Sequence, residues 1–414
     1  VKDFTKQIPR KLLDIQEKNR SNLFAWRGQF SPQLIEALLD AYCLTESVIL
    51  DPFAGSGTVL YEGARMQLPA FGFEINPSAW VFSKLYEFAN ASRALRDQII
   101  DELRDEIKKE FPLVLFSQSE LDQEELEERI IRIGRSVGDQ AKVLCNALVV
   151  LLDIFKNDVT SDLVQSKFWA LAELVRSLPY SEGLIKADLQ DARNLALENQ
   201  TVDFVVSSPP YINVFNYHQN YRRSVELLGW DVLRVARSEI GSNRANRVNR
   251  FLTVAQYCID MADVLQELAR VLSPGGRAVL IVGYESKVLG VPFYNADIIE
   301  QLARNLGMFD LVLRQERIFR NRFGQDIRED ILNLERTSYR NGDDLAATVG
   351  RRTASVALES GLSSVSAKNR IHLEHALARV SDMQGTPVFD SGSYDHYQTR
   401  NHVMMVKEEE ENNA

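Results

Sequence analysis

Asp51-Pro52-Phe53-Ala54-Gly55-Ser56-Gly57-Thr58 begins where the short apolar run Val48-Ile49-Leu50 ends, and it leads into a predicted helix through Arg65. Gly55 and Gly57 let the backbone approach a ligand closely, and the helix start offers free N–H groups. No Gly-Lys-Ser/Thr follows, so this is not a phosphate-binding P-loop. Ala70-Phe71-Gly72-Phe73-Glu74 reads as a second strand, which places Glu74 to accept hydrogen bonds from two ribose hydroxyls. A strand, a Gly-rich turn, a helix and a second strand ending in an acid make a nucleotide-binding βαβ unit, and the chain is of α/β class. A structural turn with a surface Glu is the alternative, and the two features together favour cofactor binding.

Outward from this unit, residues 31–42 read as a helix with Ser31 as N-cap and Pro32 in its first turn. Residues 91–178 read as almost continuous helix, broken near Phe111-Pro112 and around Gly138. They interrupt the α/β rhythm as a helical insertion. The rhythm resumes at Leu184–Asp188 and at the strand Asp203–Ser207. A helix over 253–272 ends at the stop signal Ser273-Pro274-Gly275-Gly276. Then come a strand at 278–284, a helix at 295–306 and two paired strands at 308–319 and 330–336. Beyond Arg336 only a helix near 367–380 stands out, before a Glu run expected to be disordered. The expected division is 1–90 (N-terminal segment and cofactor half), 91–180 (insertion), 181–336 (catalytic half) and 337–414 (C-terminal extension with an acidic tail).

Ser208-Pro209-Pro210-Tyr211 closes the Asp203–Ser207 strand and so projects from the sheet edge where ligands bind. Two prolines fix the backbone and remove two N–H donors. What remains is a set of acceptors, Ser208 Oγ and the Pro209 carbonyl, with an aromatic ring beside them. That suits the exocyclic amino group of a nucleobase, with Tyr211 stacking on its face. A duplex base reaches such a site only by flipping out. A rigid loop with a buried Tyr is the bland reading.

The chain has 414 residues, is 45% hydrophobic and carries a formal net charge of -10. No apolar run reaches the roughly 18 residues of a membrane span, and no apolar signal segment opens the sequence. Cys43, Cys145 and Cys258 form no Cys-x-x-Cys pair, so no metal site is expected, and a reducing cytoplasm fits. The acid is concentrated: residues 87–130 hold thirteen acids and six bases, and the tail from Lys407 holds four Glu. By contrast, residues 217–250 carry seven Arg against three acids. A solvated helix face is the common reading of such a run, and phosphate contact the functional one.

The two motifs in this order resemble the S-adenosylmethionine-dependent amino-methyltransferases of DNA, over roughly residues 22–336 apart from the insertion. The resemblance implies a Rossmann-like seven-stranded methyltransferase sheet, S-adenosylmethionine as cofactor without a metal, and double-stranded DNA as partner. It also admits a separate cognate restriction endonuclease; the chain itself shows no nuclease signature. Phe53, Gly55 and Gly57 match the cofactor loop, with Asp51 and Thr58 at its ends. Glu74 matches the ribose-binding acid, and Asp191 looks like the acid that reads the adenine amino group, with Asp188 as its rival. Arg27-Gly28-Gln29-Phe30-Ser31-Pro32-Gln33 looks like the segment beside the methionine end of the cofactor, which makes Phe30 and Ser31 candidates. Ser at the first tetrapeptide position points to cytosine N4 ahead of adenine N6. The segment order, with the Gly loop before the tetrapeptide, differs from that commonest among cytosine-N4 enzymes.

The expected catalytic set is Ser208, Pro209, Pro210 and Tyr211. C5 chemistry is rejected because no Cys follows a proline. His218 stays outside the set, and Asn213, Tyr217 and the Pro292-Phe293-Tyr294 stretch are weak candidates beside the cofactor or base. For DNA phosphates the candidates are Arg222, Arg223, Arg244, Arg247 and Arg250, next to the catalytic turn. The helices of 119–180 and residues 337–400 are further candidates for sequence recognition. An RNA guanine-N2 methyltransferase and an inactive cofactor-binding subunit are the competing functions.

Overall fold

Along β4 (Val202–Ser207), Phe204 and Val206 enter one core while Val205 enters another; along β5 (Leu272–Gly283), Val279 and Ile281 part from Ala278, Leu280 and Val282 in the same way. Alternation at period two with both faces apolar is what a sheet buried between helical layers requires. The computed structural model describes residues 3–15, 20, 22–24, 26, 28–113, 121–154, 156–212, 217–242, 244–321, 324–340, 342 and 344–391.

The other strands are β1 (Ile49–Asp51), β2 (Ala70–Glu74), β3 (Ile185–Leu189), β6 (Glu285–Val288), β7 (Val291–Tyr294), β8 (Phe309–Arg320) and β9 (Asp326–Arg336). Seven of the nine form one sheet in the order β3-β2-β1-β4-β5-β9-β8, and β6 and β7 make a separate hairpin. The first five strands of that order are parallel, and β9 and β8 close it antiparallel. This is the expected Rossmann-like methyltransferase sheet. The chain moves outward from β1 to β2 and β3, then returns to β4 on the other side of β1. The carboxyl ends of β1 and β4 therefore flank the switch point at which open α/β sheets bind ligands.

One face carries α1 (Arg10–Leu13), α2 (Pro32–Tyr42), α3 (Thr58–Arg65), α4 (Pro77–Lys84) and the inserted helices α5 (Arg93–Glu110), α6 (Gln123–Ser136), α7 (Asp139–Leu152) and α8 (Ser161–Ser177). The short α9 (Arg222–Leu227) and α10 (Val232–Val235) join the same core. The other face carries α11 (Leu252–Val271), α12 (Asn295–Leu306), α13 (Leu345–Gly361) and α14 (Ala367–Arg379). The insertion breaks at Phe111 and Gly138 as expected, because each is a helix end. Among the described residues no helix is long and apolar enough to cross a membrane.

Three readings change. α11 stops at Val271, just before Ser273–Gly276, as expected, but these four residues then lie in β5, where the β4 register jumps from Val202↔Leu272 to Phe204↔Arg277. Pro292-Phe293-Tyr294, expected as a loop, lies in strand β7. The sequence beyond Arg336 holds a second helix, α13, packed into the main core. Its Gly350 sits against the α11 backbone so closely that a Cβ there would lie 2.5 Å from Ile259 Cα. The Glu run at 408–411 lies outside the described residues.

Gly350→Ala should therefore force two helices apart. Overpacking of this kind costs about 1–3 kcal/mol, and a denaturant titration should read it as a lower midpoint at an unchanged slope.

Candidate active site

Asp51, 1% exposed, ends β1 and joins the two motifs. Its Oδ1 accepts from the Phe53 N–H at 3.1 Å and from Ser207 Oγ at 2.5 Å. Ser207 is the last residue of β4, directly before the tetrapeptide. Burial pushes the Asp51 carboxyl up to about 7, against the Ser207 and Phe53 hydrogen bonds.

The Gly loop turns over Glu74. Glu74 Oε2 accepts from the Gly55 N–H at 2.9 Å and Oε1 from the Asn76 N–H at 2.8 Å. Burial raises this carboxyl to about 7; the two backbone donors oppose the rise, and Asp51 nearby adds to it. A carboxylate has about four acceptor positions, so both oxygens keep room for a further donor. Gly55 and Gly57 have φ of 52° and 89°, the left-handed region that favours glycine. Their neighbours differ. A Cβ at Gly57 would lie 2.5 Å from the Tyr86 ring, so this glycine serves packing inside the protein, whereas Gly55 faces the Trp26 indole. Thr58 is buried at the start of α3.

The preceding segment is tied to this loop, because Ser56 Oγ donates to Gln29 Oε1 at 2.8 Å. Phe30 packs on the first core, and its carbonyl accepts from Asn22 Nδ2 at 2.8 Å. Ser31 holds the N-cap position of α2, but its hydroxyl donates to Gln33 Oε1 at 2.8 Å and makes no cap hydrogen bond. Gln33 Nε2 is a buried donor with no partner among the described residues.

Asp191 is corrected. Its Oδ1 accepts from Arg193 N at 3.0 Å and Nε at 2.8 Å, and its Oδ2 from Arg193 Nη2 at 2.6 Å and the Phe389 N–H at 2.9 Å. No acceptor position stays open for an adenine amino group. Asp188, the rival, is ion-paired with Lys186 at 2.8 Å.

At the end of β4, the Tyr211 ring lies on Gly283, where a Cβ would come within 2.9 Å of it. The Tyr211 hydroxyl stands 3.4 Å from both Ser208 Oγ and Glu329 Oε1. Glu329 Oε2 accepts from Arg317 Nε at 2.7 Å. Asn295, fully buried, donates to the Gly283 carbonyl at 2.9 Å and accepts from the Ile212 N–H at 3.5 Å. Arg317, Glu329 and Asn295 escaped the sequence reading. Arg317 and Glu329 meet only through the β8–β9 register, which no local pattern spells out.

The Arg-rich stretch folds back onto this turn. Gly241 is so near the Tyr211 carbonyl that a Cβ would lie 2.2 Å from it. His218, buried, bonds Glu239 through Nδ1 at 3.1 Å and Arg244 through Nε2 at 3.3 Å. Arg222 pairs with Glu226 at 2.7 Å, and Arg250 is half-buried. Of the five candidate arginines, only Arg223 and Arg247 are exposed. Tyr217 and Tyr221 each stack with Trp26, with ring centroids 6.4 and 6.3 Å away. This aromatic stack was missed, and it stands over Gly55. Tyr294 makes an edge contact with Tyr284, on which the Arg328 guanidinium lies at 3.6 Å. Asn213 lies outside the described residues. The three cysteines are buried, and no group of three His, Cys, Asp or Glu able to hold a metal occurs among the described residues.

Residues 5–82 match the model of a DNA methylase family that groups N6 and N4 methyltransferases. The Type II methyltransferase M.MjaII of Methanocaldococcus jannaschii is 28% identical over 93 residues, 20% of this chain and 18% of that protein's length. Both findings support the DNA amino-methyltransferase family. Among solved structures, a SAM-dependent methyltransferase of Methanosarcina mazei gives a TM-score of 0.35 at 12% identity, covering 72% of this chain and 97% of that one. An arsenic(III) S-adenosylmethionine methyltransferase of Chlamydomonas reinhardtii gives 0.30 at 14%, covering 71% and 64%.

Asp51 and Glu74 bind protons near pH 7 in the fold and near 4 when unfolded. Their contribution to stability is fully present below about pH 4 and lost as pH rises through 7. The ligand-free protein should become easier to unfold as pH rises from about 4 to 7, and Glu74→Gln should flatten that slope in thermal melts.

Proposed function

We propose that this chain moves a methyl group from S-adenosylmethionine to the exocyclic N4 amine of a cytosine flipped out of double-stranded DNA, with adenine N6 as the alternative acceptor. The observation that carries the reading is the Asp51–Ser207 hydrogen bond. It joins a Gly loop turned over a carboxylate to an acceptor-rich Ser-Pro-Pro-Tyr turn, across the switch point of the sheet.

The residues present fit the cofactor. Glu74 keeps acceptor positions for two ribose hydroxyls beyond its two backbone donors. The α2 N-terminus, with the unpartnered Gln33 Nε2, offers donors to a carboxylate at the methionine end. Trp26, stacked with two tyrosines and against Gly55, covers the loop. Bound S-adenosylmethionine supplies a sulfonium methyl that needs no further activation.

The difficulty lies in the nucleophile, whose lone pair is delocalised into the base. Ser208 Oγ and the Pro209 carbonyl would accept its two N–H bonds and draw the nitrogen toward tetrahedral geometry. Tyr211 would meet the face of the base. Its ring is backed by Gly283 and its hydroxyl held between Ser208 and Glu329, so its position is fixed before the base arrives. Ser at the first tetrapeptide position favours cytosine; the family model groups both amines.

Methyl transfer from labelled S-adenosylmethionine to duplex DNA should be detectable, and nuclease digestion followed by mass analysis should yield N4-methylcytosine. N6-methyladenine instead would move the assignment to the alternative acceptor. Absence of transfer to duplexes of varied sequence, or preference for tRNA, would sink the reading. Ser208→Ala and Tyr211→Ala should each lower turnover by roughly 10²-fold or more while cofactor binding persists. That binding should quench tryptophan fluorescence, and Trp26→Phe should remove most of the change.

A further inference from the structure

α14 is bonded to the β6–β7 hairpin and to the loop that follows Gly241, although it lies far beyond both in sequence. Asn369 Nδ2 donates to the Leu289 carbonyl at the tip of the β6–β7 hairpin at 3.0 Å. Asn249 Nδ2 donates to the His372 carbonyl at 2.7 Å. Asn249 belongs to the loop that follows Gly241, the residue packed on Tyr211. Arg247 and Val248 of that loop are exposed, Val248 at 93%.

The outward face of α14 is basic in an acidic protein. Lys368, His372, His375 and Arg379 recur at helical spacing along one exposed stripe; Arg370 lies off that stripe, ion-paired at 2.9 Å with Glu374, the one acid on the helix. Ile371, near the helix start, is 70% exposed. The inner face, Leu373 and Ala376, is fully buried in the core. The helix is held at both ends. Before it, Gly350 of α13 is locked on α11. After it, the segment through Thr386 is pinned where the Thr386 N–H meets Asp260 at 2.7 Å and Arg193 Nη1 donates to Thr386 Oγ1 at 2.6 Å. A rigidly mounted basic helix with an apolar side chain near its N-terminus suits the groove of a duplex, where such a helix reads base edges with its first residues and flanking arginines hold phosphates.

We infer that α14 is the element that reads duplex DNA, with Lys368 and Ile371 on the bases and Arg379 and Arg247 on the backbone. This rests on the DNA reading given under the proposed function. The full chain, titrated into a fluorescein-labelled mixed-sequence duplex at 50–200 mM salt, tests it by anisotropy.

Lys368→Ala with Arg379→Ala should weaken binding by about tenfold or more at the low-salt end and shallow the salt slope by roughly 2. Cofactor affinity should stay unchanged. The pair Lys108→Ala with Lys109→Ala on α5 should leave DNA binding as it was. Ile371→Asp, at an open surface position, should weaken duplex binding without touching the core, and it serves if the double variant fails to fold. Wild-type affinity and slope in these variants would overturn the inference and leave the proposed function standing. A wild-type chain that binds cofactor but no duplex would overturn both.

Discussion

The hydrogen bond from Ser207 Oγ to Asp51 Oδ1 sets the relation between the two loops. β1 and β4 are neighbours in a parallel sheet, so their carboxyl ends lie side by side. Adjacency alone would leave two loops free to move independently. A carboxyl buried at the end of one strand and bonded to the last hydroxyl of the next removes that freedom. It also costs desolvation, visible in a carboxyl raised to about 7. The loop glycines, Glu74 and the tetrapeptide inherit their spacing from this joint. A change in β1–β4 register would separate them all, which is why a buried polar pair fits here better than two apolar side chains.

The sheet was legible because its strands are short apolar runs bounded by turn residues, and the helices around it because their ends carry Ser, Asn, Gly and Pro. Glu74 was legible because strand and loop are close in sequence. Other features were hidden for physical reasons. α13 buries Ala346, Val349, Gly350, Thr353, Ala354 and Ala357 at helical spacing. Small side chains permit close approach to α11 but give little hydropathy signal. Gly57 was recognised as special, but for the wrong partner, since Tyr86 rather than a ligand excludes a side chain. Glu329 and Arg317 depended on a strand register, and Trp26 on a stack whose other members lie almost two hundred residues away.

A net charge of -10, taken as a total, opposes a polyanionic partner. The fold resolves the conflict by separating the charges. The acid-rich stretch lies on the helices of the insertion, on the face of the sheet opposite α11–α14. The edge that carries the tetrapeptide also carries Arg328 and the β6–β7 hairpin, to which α14 is bonded through Asn369. Several other arginines are held inside the protein as counterions. A simple count overstates the basic surface of residues 217–250 and understates that of the C-terminal helix. Where the charge sits governs encounter with DNA, while the total governs solubility.

Asp191 shows why the C-terminal stretch cannot be treated as an appendage. Arg193 is buried between Asp191 and Asp260, two acids against one base. Burial raises Asp260 to about 6, and Arg193 holds it down. Such a cluster is tolerable only if its remaining acceptors are filled, because each unsatisfied buried group costs about 1–3 kcal/mol. The sheet and its helices fill them only in part, through the Ser238 carbonyl, which accepts from Arg193 Nη2 at 3.3 Å. Thr386 donates to Asp260, the carbonyls of Thr386 and Pro387 accept from Arg193, and Phe389 donates to Asp191. The chain thus completes a core begun near residue 190 with residues nearly two hundred positions later. The same strap that satisfies these charges fixes the far end of α14. Placement of α14 and satisfaction of the buried Asp191–Arg193–Asp260 cluster are consequences of one set of hydrogen bonds.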